Sequence, residues 1–383
     1  MNRIRHIAGK VSALILFAAC LPFMQAQQKA VARPQVIGYV FARGRLLSAS
    51  ELSPQKLTRI QYAFLHTKDG ELADVPASDA ANFVTLIALK RINPSLQVVA
   101  SIGGGSHSDD FSDIALTPES RARFAASCLR IIAQFHLDGV DIDWEYPAAA
   151  RPDGKYRAED KQNYTLLMRD LRAAFDRAAG SAGPHLVLST ATNGKNFFLR
   201  NTEMGQVAKY VDTVTLMGYD FYNRSNTTTG NASALYTDPA DPKLVSDDGC
   251  IRAYLDAGVP AAKLVLGVPF YGHGWKNIAP ANHGLFQPAA GSTIFDILYT
   301  DIAAADLTPG SGYIRYWDDA SAVPYLYNAA THTFITYEDA QSLTRKAAYV
   351  REHQLGGMMF WASDGDAHDI LLNAINAGLG RKL

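Results

Sequence analysis

The residue types that could do chemistry are concentrated in one short stretch, where four carboxylates fall between residues 138 and 145. The stretch reads Asp138-Gly139-Val140-Asp141-Ile142-Asp143-Trp144-Glu145-Tyr146-Pro147. Its branched apolar residues favour a β-strand, and on a strand Asp141, Asp143 and Glu145 share one face. Residues two positions apart on a strand are roughly 7 Å apart. Their charges repel, so at least one carboxyl should hold a proton near neutral pH.

Such a row is typical of a site that needs a shared proton, a metal ion or both. A solvated strand face would instead carry mixed charges and would lack the apolar neighbours seen here. A cation site with oxygen ligands would favour a loop with an interleaved glycine, as in an EF-hand. The spacing and the apolar context therefore favour a catalytic row. We expect neither a metal nor a cofactor.

The pattern Asp138-x-x-Asp141-x-Asp143-x-Glu145 resembles the DxxDxDxE signature of glycoside hydrolase family 18, the chitinase family. The similarity extends over nearly all of the chain after the first 26 residues. It includes Ser101-Ile102-Gly103-Gly104, Met217-Gly218-Tyr219-Asp220, Tyr271-Gly272 and Gly356-Gly357-Met358-Met359-Phe360-Trp361. The resemblance implies a chitinase-type enzyme that acts on chitin or chito-oligosaccharides.

The composition limits the size class and the partners. The chain has 383 residues, of which 48% are hydrophobic and 19% charged, which suits one large globular domain or one and a half. A net charge of -1 gives no reason to expect a nucleic acid or an acidic membrane surface as a partner. We expect a monomer. Cys128 and Cys250 are predicted to be small buried thiols rather than a disulfide or a metal pair.

Residues 1–26 have the features of a secretory signal peptide. Basic residues precede an apolar run that ends at Met24, and Ala26 offers a small residue for cleavage. The run is too short for a spanning helix, and no later stretch is long and apolar enough to cross a membrane. We therefore predict an extracellular or periplasmic protein. A lipid anchor on Cys20 is the lesser alternative, because the apolar run continues past that cysteine.

The rest of the chain alternates between two kinds of segment. Eight β-rich, mostly apolar runs occupy residues 35–41, 59–65, 96–103, 139–145, 185–192, 211–220, 263–272 and 356–362. Segments with helical periodicity lie between them, most clearly at residues 79–91, 118–135, 160–179 and 247–257. This repeated alternation predicts an α/β fold, a (β/α)8 barrel over residues 27–383.

Residues 276–336 interrupt the alternation between the seventh and eighth strands. They are rich in Pro, Gly, Tyr and Phe and contain short strand-like pieces at 313–317 and 333–337, and a helix is predicted at 338–353. A structureless loop of this length is implausible inside a compact domain. We therefore predict a small inserted α+β domain. In one subgroup of the family that this chain resembles, such an insertion forms one wall of a deep cleft.

Active sites of such barrels lie at the carboxyl ends of the strands, and most of these ends carry aromatic residues here. Aromatic faces stack on sugar rings, so this pattern favours a pyranose chain as the substrate. The predicted substrate-binding residues are Tyr39, Phe64, Gly104, Gly105, Tyr146, Met217, Asp220, Tyr271 and Trp361. For Tyr39 and Phe64, packing in the core is an equally good explanation.

The predicted catalytic residues are Glu145, Asp143, Asp141 and Tyr219. Glu145 is last in the row and is expected to be the general acid, with a pKa raised by a charged carboxylate neighbour. No side chain has an evident claim as the nucleophile. The resemblance implies that the 2-acetamido oxygen of the sugar attacks its own anomeric carbon. Asp143 would hold the acetamido N–H, Tyr219 would hold its oxygen, and Asp141 would tune Asp143.

The resemblance also predicts cis peptide bonds at Glu145–Tyr146 and Trp361–Ala362. Two positions depart from the family pattern: Gly105 stands where Trp is frequent, and His273 where Arg often follows Tyr-Gly. Both departures weaken the case for binding long chains. Soluble chito-oligosaccharides or loose chitin are therefore the expected substrates.

Other functions stay open at this point. The same acid row would serve an endo-β-N-acetylglucosaminidase that acts on N-glycans, or a peptidoglycan hydrolase. A chitin-binding lectin of this type would lack the acid, which Glu145 supplies here. A dinucleotide-binding enzyme is disfavoured, because Gly103-Gly104-Gly105 lacks the G-x-G-x-x-G spacing.

Overall fold

The structure, a computed structural model, describes residues 33–150, 155–194 and 196–382. Its centre is a closed barrel of eight parallel strands that follow one another around the barrel in chain order. They are β1 (Gln35–Phe41), β2 (Arg59–Leu65), β3 (Gln97–Gly103), β4 (Gly139–Asp143), β5 (Val187–Asn193), β6 (Thr213–Met217), β7 (Leu264–Pro269) and, closing onto β1, β13 (Gly357–Trp361). The predicted (β/α)8 barrel is confirmed. The predicted signal peptide over residues 1–26 lies outside the described residues.

β4 is shorter than the sequence predicts. It ends at Asp143, so Glu145 lies just beyond the strand rather than on its face. The backbone N–H of Glu145 donates to Ser108 Oγ at 3.0 Å instead of to a neighbouring strand. Strand alternation therefore accounts for Asp141 and Asp143, while the position of Glu145 depends on the bend that follows.

The alternation on β4 separates two environments. Val140 and Ile142 are buried in the large apolar core of the barrel and its helices. Asp141 faces the barrel interior, where it meets Ser101 from β3 and Ser189 from β5. The acids are thus enclosed by strands, and the apolar residues between them hold β4 against the helical layer.

The longer helices are α1 (Ala77–Ala88), α2 (Pro118–Phe135), α3 (Asp160–Ala179), α4 (Asp247–Asp256), α5 (Ala340–Glu352) and α6 (Ile370–Gly378). α2 begins as its sequence indicates, since Thr117 Oγ1 accepts from the N–H of Ser120 at 3.1 Å and Pro118 needs no donor at the first position. The predicted bounds of α2 and α3 are correct. α1 ends before the predicted Arg91, because Leu89–Arg91 form a separate 3-10 turn.

A second sheet lies between β7 and β13 in the chain. Its five strands are β8 (Tyr271–Trp275), β9 (Ile294–Leu298), β10 (Tyr313–Asp318), β11 (Val323–Asn328) and β12 (Thr333–Thr336), in the antiparallel order β9-β8-β12-β11-β10. The seventh barrel strand was predicted to run to Gly272, but it ends at Pro269. The N–H of Phe270 donates to the carbonyl of Trp361 at 2.7 Å, and the next residue already belongs to the second sheet. The assignment of residues 276–336 to a separate inserted domain stays a prediction.

Two sequence predictions concern groups outside the sheets. Cys128 and Cys250 are both buried and free, as predicted. Burial raises the pKa of Cys250 to about 12, so it stays a thiol at neutral pH. In the described part of the chain, no helix is long and apolar enough to span a membrane.

Candidate active site

Asp141 lies inside the barrel and is fully buried. Three hydroxyls donate to its carboxylate: Tyr39 at 2.8 Å and Ser101 at 2.8 Å to Oδ2, and Ser189 at 2.7 Å to Oδ1. Burial raises the pKa of Asp141, and the three hydrogen bonds oppose this rise because they favour the ionised form. Gln61 Nε2 in turn donates to Ser189 Oγ at 3.0 Å. Asp141 is thus held from β1, β3 and β5 at once.

Asp143 is the next residue on the same face and lies at the carboxyl end of β4, only 3% exposed. Its Oδ1 is buried and has no hydrogen-bond partner among the described residues. Burial raises the pKa of Asp143 well above its ordinary value, and the charges of Glu145 and Asp141 raise it further. The carboxyl therefore binds a proton tightly, and one of its oxygens is buried without a partner.

The loop after β3 folds against this strand end. The N–H of Gly104 donates to the main-chain carbonyl of Asp143 at 2.8 Å, and Ser108 Oγ donates to the same carbonyl at 3.1 Å. Gly103 has φ of 107°, and a Cβ there would lie 2.3 Å from that carbonyl oxygen, so only glycine fits. Gly104, predicted to contact substrate, does not line the cleft, because the ring of Phe64 lies against it.

Glu145 stands beside Asp143 at the bend that follows β4. A Cβ on Gly105 would lie 3.8 Å from each carboxylate oxygen of Glu145, so glycine leaves the space next to this carboxylate open. The adjacent Tyr146 hydroxyl accepts from Asn193 Nδ2 at 2.9 Å. Burial, followed by the charge of Glu145, raises the pKa of Tyr146 and keeps its hydroxyl protonated.

A cleft of about 220 Å³ opens where the carboxyl ends of the strands meet. It brings together all the predicted site residues except Asp141, which lies beneath it, and Gly104. The lining residues are Tyr39, Phe64, Gly105, Asp143, Glu145, Tyr146, Ala191, Asn193, Met217, Tyr219, Asp220, Asn223, Tyr271, Met359 and Trp361. A second cavity of about 450 Å³ shares Phe64, Gly105 and Trp361 with it. The two cavities therefore adjoin, and the open space extends beyond the cleft around Asp143 and Glu145.

Aromatic rings form one side of the cleft. The rings of Phe64 and Trp361 are 5.5 Å apart and nearly parallel, at 22°. Tyr39 lies 5.4 Å from Trp361 and is also bonded to Asp141, so it serves both the core and the cleft. The peptide bonds Glu145–Tyr146 and Trp361–Ala362 are cis, as predicted, and Ala63–Phe64 is cis as well.

The opposite side carries a hydrogen-bonded group around Asp220. Its Oδ1 accepts from the Tyr271 hydroxyl at 2.6 Å and lies 2.9 Å from His273 Nε2. The ring of Tyr219 meets that of Tyr271 edge-on at 6.2 Å. Burial raises the pKa of Tyr219 well above its ordinary value, so its hydroxyl is a hydrogen-bond donor at any working pH. Asp220 is thus fixed by neighbours rather than free to approach a reacting carbon.

Several residues of the site were not predicted from the sequence. Asn193 is the last residue of β5, and the polar residue at that strand end was a signal that could have identified it. Ser101 and Ser189 bond to Asp141 only because neighbouring strands place them level with it. Met359 lies two residues before Trp361 and shares its face of β13, which was also a usable signal. Asn223 carries no comparable signal in the sequence.

Asp138, the first acid of the row, lies away from the cleft at the start of β4. Its carboxylate accepts from the N–H of Val98 at 2.6 Å and pairs with Lys90 Nζ at 2.6 Å. These contacts give Asp138 a structural role at the start of the strand. Across residues 33–150, 155–194 and 196–382, no three His, Cys, Asp or Glu side chains are grouped so as to hold a metal ion.

Comparison with known proteins connects this geometry to one family. The model of glycosyl hydrolases family 18 matches residues 35–366. Chitinase A1 of Niallia circulans is 40% identical over 326 residues, which are 81% of this chain but 46% of that protein. Chitinase B of Serratia marcescens is 30% identical over 411 residues, covering 86% of this chain and 80% of that protein. The chain thus spans about half the length of the first of these relatives.

Solved structures agree with the sequence relatives. A family 18 N-acetylglucosaminidase from Paenibacillus barengoltzii superposes with a TM-score of 0.83 at 36% identity, covering 90% of this chain and 99% of that one. A class V chitinase from Nicotiana tobaccum, solved in complex with NAG4, gives a TM-score of 0.79 at 26% identity, covering 91% of this chain and 100% of that one. The chain belongs to glycosyl hydrolase family 18, and its barrel is a glycoside hydrolase domain of the chitinase type.

Proposed function

We propose that the protein is a secreted chitinase that cleaves β-1,4 bonds between N-acetylglucosamine units with retention of configuration. The observation that carries this proposal is the pair at the end of β4. Asp143 is buried with one unpartnered oxygen, and Glu145 stands beside it on the cleft wall. The chitinases among the relatives and the NAG4 complex support this class of substrate.

In the proposed reaction Glu145 donates its proton to the glycosidic oxygen, and the bond between that oxygen and the anomeric carbon breaks. The acetamido oxygen of the same sugar bonds to the anomeric carbon and forms an oxazolinium ion. Water then attacks this carbon and gives a proton to the Glu145 carboxylate, while the bond between the carbon and the acetamido oxygen breaks, so the acetamido group and the enzyme are both restored. The product keeps the β configuration because the carbon is displaced twice.

The surrounding residues have complementary roles in this scheme. The Asp143 carboxyl, whose Oδ1 has no partner among the described residues, would accept the acetamido N–H, and in its ionised form it would balance the positive charge of the oxazolinium ion. The Tyr219 hydroxyl would donate to the acetamido oxygen. Asp220 is a poor candidate for a protein nucleophile, because its Oδ1 already serves Tyr271 and His273.

A second candidate is an endo-β-N-acetylglucosaminidase that acts on N-glycans or peptidoglycan. The N-acetylglucosaminidase among the structural neighbours favours this candidate, because the superposition covers 90% of this chain and 99% of that enzyme. A lectin is the weaker alternative. One structural neighbour is a chitinase-like agglutinin from Robinia pseudoacacia, but Glu145 is present here, so a proton donor is in place.

The test is a comparison of products from chitotetraose, a high-mannose glycoprotein and peptidoglycan, with Glu145→Gln as the control. We expect wild-type enzyme to shorten chitotetraose fastest. Glu145→Gln should lower kcat by several orders of magnitude while oligosaccharide binding survives, since only the proton donor is lost. Preferred release of N-glycans or muropeptides would establish the second candidate instead. Binding of the oligosaccharide without turnover by wild-type protein would establish a lectin.

The stereochemistry tests the route. Fresh product observed by NMR should be the β anomer before it mutarotates. An oligosaccharide with a free amine in place of the acetamido group at the cleavage site should not be cut there. An initial α product would contradict the substrate-assisted route, and rapid cleavage beside the free amine would require a protein nucleophile.

Secretion is proposed from the N-terminal sequence alone. Residues 1–26 carry the pattern of a signal peptide. Expression of the whole chain in a bacterial host, followed by mass spectrometry of the mature N-terminus, should show cleavage near Ala26. A mature protein that begins at a lipidated Cys20 would establish the anchored alternative. Light scattering of the same sample should give the mass of a monomer.

A further inference from the structure

His273 is one of the two positions at which this chain departs from the family pattern. Its side chain is 6% exposed and lies between two carboxylates. Nδ1 is 2.8 Å from Asp296 Oδ1, and Nε2 is 2.9 Å from Asp220 Oδ1. Because ionised carboxylates only accept hydrogen bonds, both ring nitrogens must carry a hydrogen. The geometry therefore requires the imidazolium form.

The two carboxylates belong to different parts of the fold. Asp296 lies on β9, directly opposite His273 of β8 in the second sheet. Asp220 follows β6 of the barrel, with φ of 57°, and lines the cleft. His273 thus links the second sheet to a cleft residue of the barrel. Arg224 pairs with the other oxygen of Asp296 and completes the chain of charges.

Asp220 itself is only partly occupied by these contacts. Its hydrogen bonds from Tyr271 and His273 both end on Oδ1. Its side chain remains 43% exposed at the cleft. Among the described residues, no side chain bonds to Oδ2, so this oxygen can accept a hydrogen bond from a sugar. The position of Oδ2 depends on Tyr271 and His273, which hold Oδ1 of the same carboxylate.

We propose that His273 is a positioning residue for the proposed glycoside hydrolysis. As an imidazolium it holds Asp220 through one N–H and Asp296 through the other, and so presents Asp220 Oδ2 to the sugar. The kinetic part of this proposal rests on the proposed function. The charge state and the bridge rest only on the geometry.

The titration of His273 gives the proposal a signature. Burial lowers the pKa of His273, but the hydrogen bonds and charges of Asp220 and Asp296 outweigh burial and raise it to about 9. Among the described residues, other charged or titratable groups at the bridge are Arg224, on Asp296, and two phenols. The Tyr271 ring lies 5.4 Å from the imidazole, and Tyr219 interacts with the charge of Asp220. Because the folded-state pKa is raised, the stability that the bridge contributes is fully present below pH ~6.5, the ordinary pKa of histidine. It is lost as the pH rises through about 9.

The experiment compares wild type with His273→Gln and His273→Arg, and uses His185→Gln as a matched control. His185 also pairs with an aspartate, Asp212, at 2.7 Å, but it precedes β5 at the opposite end of the barrel from the cleft. The neutral Gln side chain in His273→Gln cannot donate charged hydrogen bonds to both carboxylates. We expect its kcat/KM on chitotetraose at pH 7 to fall ~10- to 100-fold, the effect of losing hydrogen bonds to a charged group. His185→Gln should match wild type.

His273→Arg keeps a permanent charge and several donors. Its kcat/KM divided by that of wild type should be constant below pH 8 and should rise ~5-fold or more by pH 10. In this ratio, the pH dependence of ionisable groups that are common to both proteins cancels. A flat ratio over the whole range would overturn the proposal. So would a His273→Gln variant with wild-type kcat/KM and only a lower Tm, since that result would show a purely structural role.

An NMR titration of the ¹⁵N-labelled imidazole of His273 gives a readout without substrate. We expect a midpoint near pH 9, and a midpoint at or below pH 7 would overturn the bridge. If wild type cleaves no chito-oligosaccharide while His273 titrates near pH 9, the proposed function fails and the bridge stands. If the protein is active and His273 titrates normally, the bridge alone fails.

Discussion

The hydrogen bonds to Asp141 should control the pH dependence of the reaction, and Ser101→Ala tests this directly. Among the described residues, Ser101 Oγ bonds to Asp141 alone, at 2.8 Å. The change removes one of three donors that favour the ionised carboxylate. A hydrogen bond to a charged group is worth ~1.5–3 kcal/mol. The pKa of Asp141 should therefore rise further, and Asp141 should carry its charge over less of the pH range.

A change in the charge of Asp141 affects the reaction through the pKa of Asp143. The charge of Asp141 is one of the causes that raise the pKa of Asp143. At a separation of roughly 7 Å and an effective dielectric constant of ~20, one unit charge contributes ~2.4 kcal/mol. Partial loss of this charge should move the alkaline limb of the kcat profile to lower pH by ~0.5–1 unit.

The assay is kcat on chitotetraose between pH 4 and 10 for wild type, Ser101→Ala and Ser189→Ala. Ser189→Ala should move the same limb in the same direction, but it also leaves the buried Gln61 Nε2 without its acceptor. Its free energy of unfolding should therefore fall by an additional ~1–3 kcal/mol relative to Ser101→Ala. A Ser101→Ala profile that coincides with wild type, or an alkaline limb that moves to higher pH, would refute the reasoning.

Other perturbations have separate outcomes. Asp143→Asn should lower kcat severely with little change in KM, because the charge that supports the oxazolinium ion is lost; a change confined to KM would exclude that role. Tyr219→Phe should lower kcat ~100- to 1000-fold, the range for one lost donor to the intermediate, and unchanged kcat would argue against its contact with the acetamido oxygen. Lys346→Met leaves the buried Asp247 and Glu338 carboxylates without their shared ammonium, so urea denaturation should show a loss of ~3–5 kcal/mol. That loss should be larger at pH 8 than at pH 5.5, because burial already raises the pKa of both acids and loss of the ammonium raises it further, so more unpaired charge is buried at the higher pH; equal losses at the two pH values would contradict this. EDTA should leave the rate unchanged, whereas a loss restored by calcium or magnesium would favour a metal site.

The sequence by itself determined the barrel and indicated most residues of the candidate site. The eight apolar runs and the helices between them could be read because helices and strands have different periodicities. The spacing from Asp138 to Glu145 indicated a catalytic row, and alternation on a strand correctly placed Asp141 and Asp143 on one face. Aromatic residues at strand ends indicated the cleft, since parallel strands in a barrel end at the same mouth.

Only the tertiary structure decided the surroundings of those residues. Ser101, Ser189 and Tyr39 meet at Asp141 from three strands that are far apart in the chain, and no local pattern encodes the register that brings them level. His273 was noted in the sequence only as a departure from a family pattern.

Its bridge between Asp220 and Asp296 exists because the chain leaves the barrel after Pro269 and pairs β8 with β9. Because of this turn, Tyr271 belongs to the second sheet and not to the barrel strand in which it was predicted. Its side chain still lines the cleft. Local periodicity fixes which residues share a face, but contacts between distant segments fix a residue's charge state and hydrogen-bond partners. Those contacts form only when the barrel closes.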